Sequence, residues 1–278
     1  MLLAASGLLT GGCASLISSA ASGLADNLSS AMLNQDDPET VRVGAPSYLL
    51  LLDSFIEGSP DDPELLAAGA SLYASYGAVF AAEPERAARL TARARNYGLR
   101  GMCESYAAAC GWASANFEDF VASLDGVTEK HADALYAYGF ATLAYLRTHS
   151  TDWNALAELP QIEALFNHYL AIGGSEANAA THTYMGILLT LRPPALGGKP
   201  EEAREHFETA IRLTNGKDLS AKVEYARGYA KLLYERELHD RLLKEVLDAD
   251  PYADGFTLGN VMAQAEAEQL LAEADDYF

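Results

Sequence analysis

The sequence is short of positive charge. Nineteen lysines and arginines stand against thirty-nine aspartates and glutamates, a formal net charge of −20, and the first basic residue is Arg42. Such a chain repels phosphates and anionic headgroups, which argues against a nucleic-acid partner and against docking on anionic lipid by charge. Long apolar runs are missing too: residues 1–12, MLLAASGLLTGG, fall well short of the ~20 residues that cross a bilayer. Strand-like alternation is absent, TVRV at 40–43 being the nearest approach and too short. The cysteines are Cys13, Cys103 and Cys110, with no companion ligands at metal-binding spacing, and the histidines never form H-E-x-x-H. Gly198-Lys199 precedes Pro200 where a phosphate-binding loop needs Ser or Thr. GGSEA at 173–177 ends in alanine where a nucleophile elbow needs glycine. No catalytic constellation emerges, so the reading is of a non-enzyme with no cofactor and no metal.

What is present begins with a leader. Residues 1–12 read as the apolar region of a secretory signal, and LLTGGCAS resembles a bacterial lipobox with Gly11 and Gly12 before Cys13. Thr10 stands where leucine is commonest. The expectation is cleavage before Cys13 and lipid attachment to it; the competing reading is an ordinary buried cysteine. Ala14 is not the aspartate of inner-membrane retention, which points to the periplasmic side of the outer membrane. Residues 13–35 carry a thin apolar stripe, Leu16, Ala20, Leu24, Leu28 and Met32, expected as a tether or a weak helix that docks on the body.

From residue 36 to 278 the chain reads as one helical domain. Helices are expected over 45–58 with Pro46 in the first turn, from Pro63 behind the Asp62 cap, and from Pro84. Further helices follow over 102–123, 128–148, 160–172, 177–191, 200–213, 219–236 and 237–249, and a last one from the Asp250-Pro251 boundary. Connections are short, so neighbours should run antiparallel. On one regular helix Cys103 and Cys110 stand ~10 Å apart along the axis, beyond disulfide reach, and are expected as thiols unless the helix breaks between them.

The most distinctive punctuation is PPALGGKPEEAREHFETAI at 193–211. Ala203, Phe207, Ala210 and Ile211 share one helical face, and Ala-x3-Phe-x2-Ala is the second-helix half of a tetratricopeptide repeat. Gly186, Ala203, Phe207, Ala210 and Pro251 are the predicted repeat seam. Loose matches elsewhere predict an all-α chain: an α-solenoid of divergent tetratricopeptide-like helix pairs with a C-terminal capping helix.

With these blocks in place the chain resembles a known family, the TatT components, helical-repeat lipoproteins associated with TRAP (tripartite ATP-independent periplasmic) transporters. The residues that carry the resemblance are DDPETVRVGAPSYLLLLDSFIEGSPDDPELL, ASLYASYGAVF, RPPALGGKPEEAREHFETAI and GNVMAQAEAEQLLAEADDYF. The resemblance implies a periplasm-facing lipoprotein that associates with the transporter's substrate-binding protein and assembles as an oligomer. An alternative reading of such repeats is an outer-membrane assembly or peptidoglycan-associated lipoprotein.

Aromatic residues supply the candidate binding surface. Tyr73, Tyr76, Tyr136, Tyr138, Tyr184, Tyr225 and Tyr229 fall on first helices of the pairs; with Trp112 they are candidates to line a groove for a hydrophobic or amphipathic ligand or a partner. The bland alternative for each is packing between helices. His206 with Glu202 reads as a solvent-side pair, and His182 as core or groove wall.

Overall fold

Aspartate followed by proline sets the first helix starts. Asp37 accepts a hydrogen bond from the Glu39 amide and Asp62 from the amides of Glu64 and Leu65, so α1 (Pro38–Gly58) and α2 (Pro63–Val79) each open on a capped first turn. In the computed structural model, which describes residues 28–173 and 179–278, the chain is all-α, with no strand among the described residues. Cys13, the leader and most of the expected tether lie outside the described residues.

Pro46 does not start a helix, as the sequence suggests, but sits inside α1; TVRV is helical as well. A proline there cannot give its N–H to the carbonyl of Arg42. The Tyr76 hydroxyl donates to that oxygen instead, at 3.2 Å. The helix therefore runs on because α2 supplies the missing donor.

α3 (Pro84–Ser105) packs along α2 and both lie against α5 (Ala132–Thr148). α5 divides two cores. Its Ala137, Ala141 and Ala144 join the residues of α1, α2 and α3, while Leu135, Tyr138, Leu143 and Leu146 face the larger C-terminal core. Small residues let the backbones approach: a Cβ on Gly98 of α3 would lie 2.9 Å from the Tyr138 Cα.

The expected helix over 102–123 is broken. α3 ends at Ser105, Tyr106 turns extended, a 3-10 stretch spans Ala107–Ser114, and α4 (Phe117–Leu124) starts afresh from an Asn116 cap. The break folds the chain back so that the Cα atoms of Cys103 and Cys110 are 4.5 Å apart and the residues form a disulfide. The thiol expectation is thus corrected, because the straight helix it assumed does not exist.

α6 (Leu159–Gly173) and α7 (Ala179–Thr190) complete the middle of the chain, and α7 pairs with α8 (Pro200–Leu213) across PPALGG. The reversal is tight. The Lys199 amide returns to the Leu189 carbonyl at 2.9 Å, and a Cβ on Gly198 would lie 1.8 Å from the Arg192 oxygen. α9 (Leu219–Glu224) runs into a π-helical turn, Tyr225–Ala230, before α10 (Arg236–Leu247). The last long helix, α11 (Thr257–Ala272), begins beyond the Asp250-Pro251 boundary expected for it. Asn260 explains its position. Wholly buried, it accepts from the Leu219 amide at 2.9 Å and donates to the carbonyls of Lys217 and Pro251, pinning α11 to the start of α9.

The segment before α1 meets the loop that leads into α11. Asn34 donates to Asp254 at 3.0 Å and accepts from the Gly255 amide at 2.7 Å, and Leu258 packs against the N-terminal core.

Candidate functional site

Aromatic side chains separate by the direction in which each helix turns them. Tyr73, Tyr76, Trp112, Tyr138, Tyr225 and Tyr229 are between 1 % and 4 % exposed and lie among packed helices. Trp112 sits 4.9 Å from Phe120 and 5.6 Å from Tyr138, with its indole N–H on the Ser123 hydroxyl at 2.7 Å. Tyr225 stacks on Phe207 at 5.3 Å and meets Tyr229 edge-on. The Tyr73 and Tyr97 hydroxyls both donate to Asp53, at 2.6 and 2.8 Å, and Arg93 binds the same carboxylate at 3.0 Å. Burial and then Asp53 push the Tyr73 phenol up to about 12. These rings join α1 to α2 and α3, and α7 and α8 to the π turn.

Tyr136 and Tyr184 differ. Both are half-buried, and with Phe140 and Tyr169 they form one aromatic patch across α5, α6 and α7. Tyr136 lies 5.4 Å from Tyr169 and 6.2 Å from Tyr184, and Phe140 stacks on Tyr184 at 5.1 Å. Burial raises both phenols, Tyr184 well above its ordinary value, where Tyr136, Asp218 and Glu224 add to the effect. These hydroxyls remain neutral donors and acceptors at any physiological pH.

Beside the patch runs a charged bridge that sequence spacing did not reveal. Glu224 on α9 accepts from Arg147 on α5 at 3.1 Å and from Arg227 in the π turn, and Arg227 also reaches Glu266 on α11. Burial pushes Glu224 up, but the two guanidinium groups outweigh it and hold the carboxyl below its usual range. For Glu266 burial wins over Arg227 and the carboxyl is raised. Asp218, raised by burial, caps α9 through the Ser220 amide. The arrangement offers ring faces, phenolic hydroxyls and paired charges side by side. It suits a ligand or a partner segment with an apolar body and a polar end.

Of the residues expected at the repeat seam, Ala203, Phe207 and Ala210 are buried and Phe207 lies against Gly186, while the Pro251 carbonyl accepts from Asn260. In place of the expected His206–Glu202 surface pair, the half-buried His206 meets His182. His206 Nδ1 is 2.9 Å from His182 Nδ1, and burial together with His182 lowers His206 to about 4. Among the described residues no group of three or more His, Cys, Asp or Glu side chains is arranged to hold a metal ion. No described helix is long and apolar enough to cross a membrane.

Comparison with curated proteins returned no match. A family model described as TRAP transporter T-component matches residues 34–278, nearly the whole chain. The chain belongs to the TRAP transporter T-component family.

Proposed function

We propose that this chain is a lipid-anchored, periplasm-facing scaffold that binds the substrate-binding protein of a TRAP transporter and assists solute uptake. The observation that carries the reading is the family match over residues 34–278, which makes a role in TRAP transport the starting point. Cys13 is the lipid attachment site, holding the body at the periplasmic side of the outer membrane. The helix pairs are divergent tetratricopeptide-like repeats, and Tyr136 and Tyr184 belong to the surface that holds a hydrophobic or amphipathic ligand during transfer. The half-buried patch they form, with neutral hydroxyls beside the Arg147–Glu224–Arg227 bridge, supports this assignment.

The test is made in cells. Affinity-tagged protein cross-linked in the envelope should recover the substrate-binding protein of the TRAP transporter encoded with it, and deletion should lower uptake of that transporter's solute. Unchanged uptake together with recovery of cell-wall or barrel-assembly components would refute the reading.

A further inference from the structure

The disulfide joins two residues that differ in access. Cys103 lies half-buried in the last turn of α3, whereas Cys110 is exposed. Ala109 and Trp112 on either side are buried and anchor the chain, and a Cβ on the intervening Gly111 would meet nothing within 4 Å. Space beside Cys110 is therefore open to a second molecule.

Contacts other than the bridge hold the break that brings the cysteines together. The Tyr106 hydroxyl donates to the Ser123 carbonyl at 2.9 Å, the Trp112 indole to the Ser123 hydroxyl at 2.7 Å, and Gln161 to the Ala115 carbonyl at 3.0 Å. The reduced chain can thus fold back first and present both thiols before a bond joins them.

The pair does not belong to any metal-holding group among the described residues. Its members stand seven positions apart, unlike the C-x-x-C pair of a thiol-redox catalyst, so it is a substrate of thiol oxidation. A bridge with one exposed partner calls for an oxidising compartment, since the thiol pool of a reducing one would open it. A thiolate is the attacking form, and Arg100, the nearest cation to Cys103 along the chain, is turned onto the Pro60 carbonyl at 2.6 Å. Unaided closure is then slow, and an enzyme is called for.

We propose that Cys110 is the site at which a dithiol–disulfide oxidase of the cell envelope acts on this chain. The Cys110 sulfur attacks the oxidase's disulfide, forming an intermolecular S–S bond and releasing one oxidase thiolate. The Cys103 sulfur then attacks Cys110, forming the bridge and releasing the second. Two protons and two electrons pass from the chain's thiols to the oxidase, which ends as a dithiol. The inference rests on the periplasm-facing part of the function proposed above and adds a modification site and a class of partner.

The test starts from the reduced full chain, treated with oxidised glutathione or with a purified thioredoxin-fold oxidase in its disulfide form, quenched in acid and resolved by mass spectrometry. At equal disulfide concentration the oxidase should close the bridge at least about tenfold faster. In the single variants, glutathione should add to Cys110 of Cys103→Ser at least about fivefold faster than to Cys103 of Cys110→Ser. In urea the two rates should converge, because the fold sets the difference; Cys13 is common to both variants. Equal or reversed rates in the folded variants, or a ratio that persists in urea, would overturn the assignment of Cys110. Closure no faster with the oxidase would overturn the partner. In cells whose thiols are blocked before lysis, the chain should carry the bridge, and free thiols at Cys103 and Cys110 would overturn the proposal as a whole. None of these readouts depends on the substrate-binding protein, so the modification site and the transport role fail separately.

Discussion

Phe207 occupies the space that a side chain at Gly186 would need. A Cβ on Gly186 would lie 2.6 Å from the Cε1 and Cζ of the Phe207 ring, which is wholly buried between α7 and α8. The pair is a knob and its hole, so the two residues constrain each other. Phe207→Ala should cost about 3–5 kcal/mol by opening a cavity. Gly186→Ala should cost about 1–3 kcal/mol by overpacking. In the double variant the added methyl enters space the ring has left, and denaturant melts should give a loss clearly smaller than the sum. Strict additivity would mean the two sites do not share that space.

Tyr76 carries a second coupling. Its hydroxyl takes over the Arg42 carbonyl that Pro46 leaves without its usual donor. Tyr76→Phe keeps the ring and deprives that carbonyl of the hydroxyl, so about 1–2 kcal/mol should be lost in chemical denaturation. Replacing Pro46 by alanine should restore a backbone donor and make the Tyr76→Phe change nearly neutral. An equal loss in both backgrounds would contradict the assignment.

These couplings also mark what could be read from the sequence. Asp62-Pro63 and the Ala203-x3-Phe207 face are local signals, and each lies where it was expected. The compensation of Pro46 was not legible, because its partner is on another helix. The Arg147–Glu224–Arg227–Glu266 bridge draws on α5, α9, the π turn and α11, with no spacing to announce it. Tyr136 and Tyr138 show the limit for the candidate surface. Two residues apart on one helix, they face opposite ways, Tyr138 into the core and Tyr136 toward the aromatic patch. Residue type could nominate both and distinguish neither. A start at residue 117 was foreshadowed by Asn116 and Asp119, whose amide Asn116 caps at 2.9 Å; the break at Tyr106 had no such sign.

The disulfide that this break permits closes a short loop. Reduction, or Cys103→Ser/Cys110→Ser, should lower stability by about 2 kcal/mol through the added freedom of the unfolded chain. The Trp112 emission provides a local probe, since the indole lies just beyond Cys110 with its N–H on Ser123. An unchanged melting temperature with and without reductant would show that the bridge does not form in solution.

Burial of the His206 ring, with His182 beside it, makes stability depend on pH. His206 titrates at about 4 in the folded chain against an ordinary value of 6.5, so between those values the unfolded chain binds more protons. Stability is complete above that ordinary value and falls as pH drops toward the folded one, by roughly 1–2 kcal/mol after allowance for partial exposure. Glu163, held by Lys199 at 2.5 Å, opposes the shift in part. His206→Gln should flatten this slope relative to the parent, while the lowered His131 contributes equally to both proteins. Identical slopes would place the titration elsewhere.

The central claim is recognition of a TRAP substrate-binding protein by this helical body. Titration calorimetry of the two purified proteins tests it most directly. Saturable binding at a fixed stoichiometry, retained by the disulfide-bonded chain, is the predicted result. No heat and no complex up to about millimolar concentration, where only some −4 kcal/mol of binding free energy remains, would contradict it.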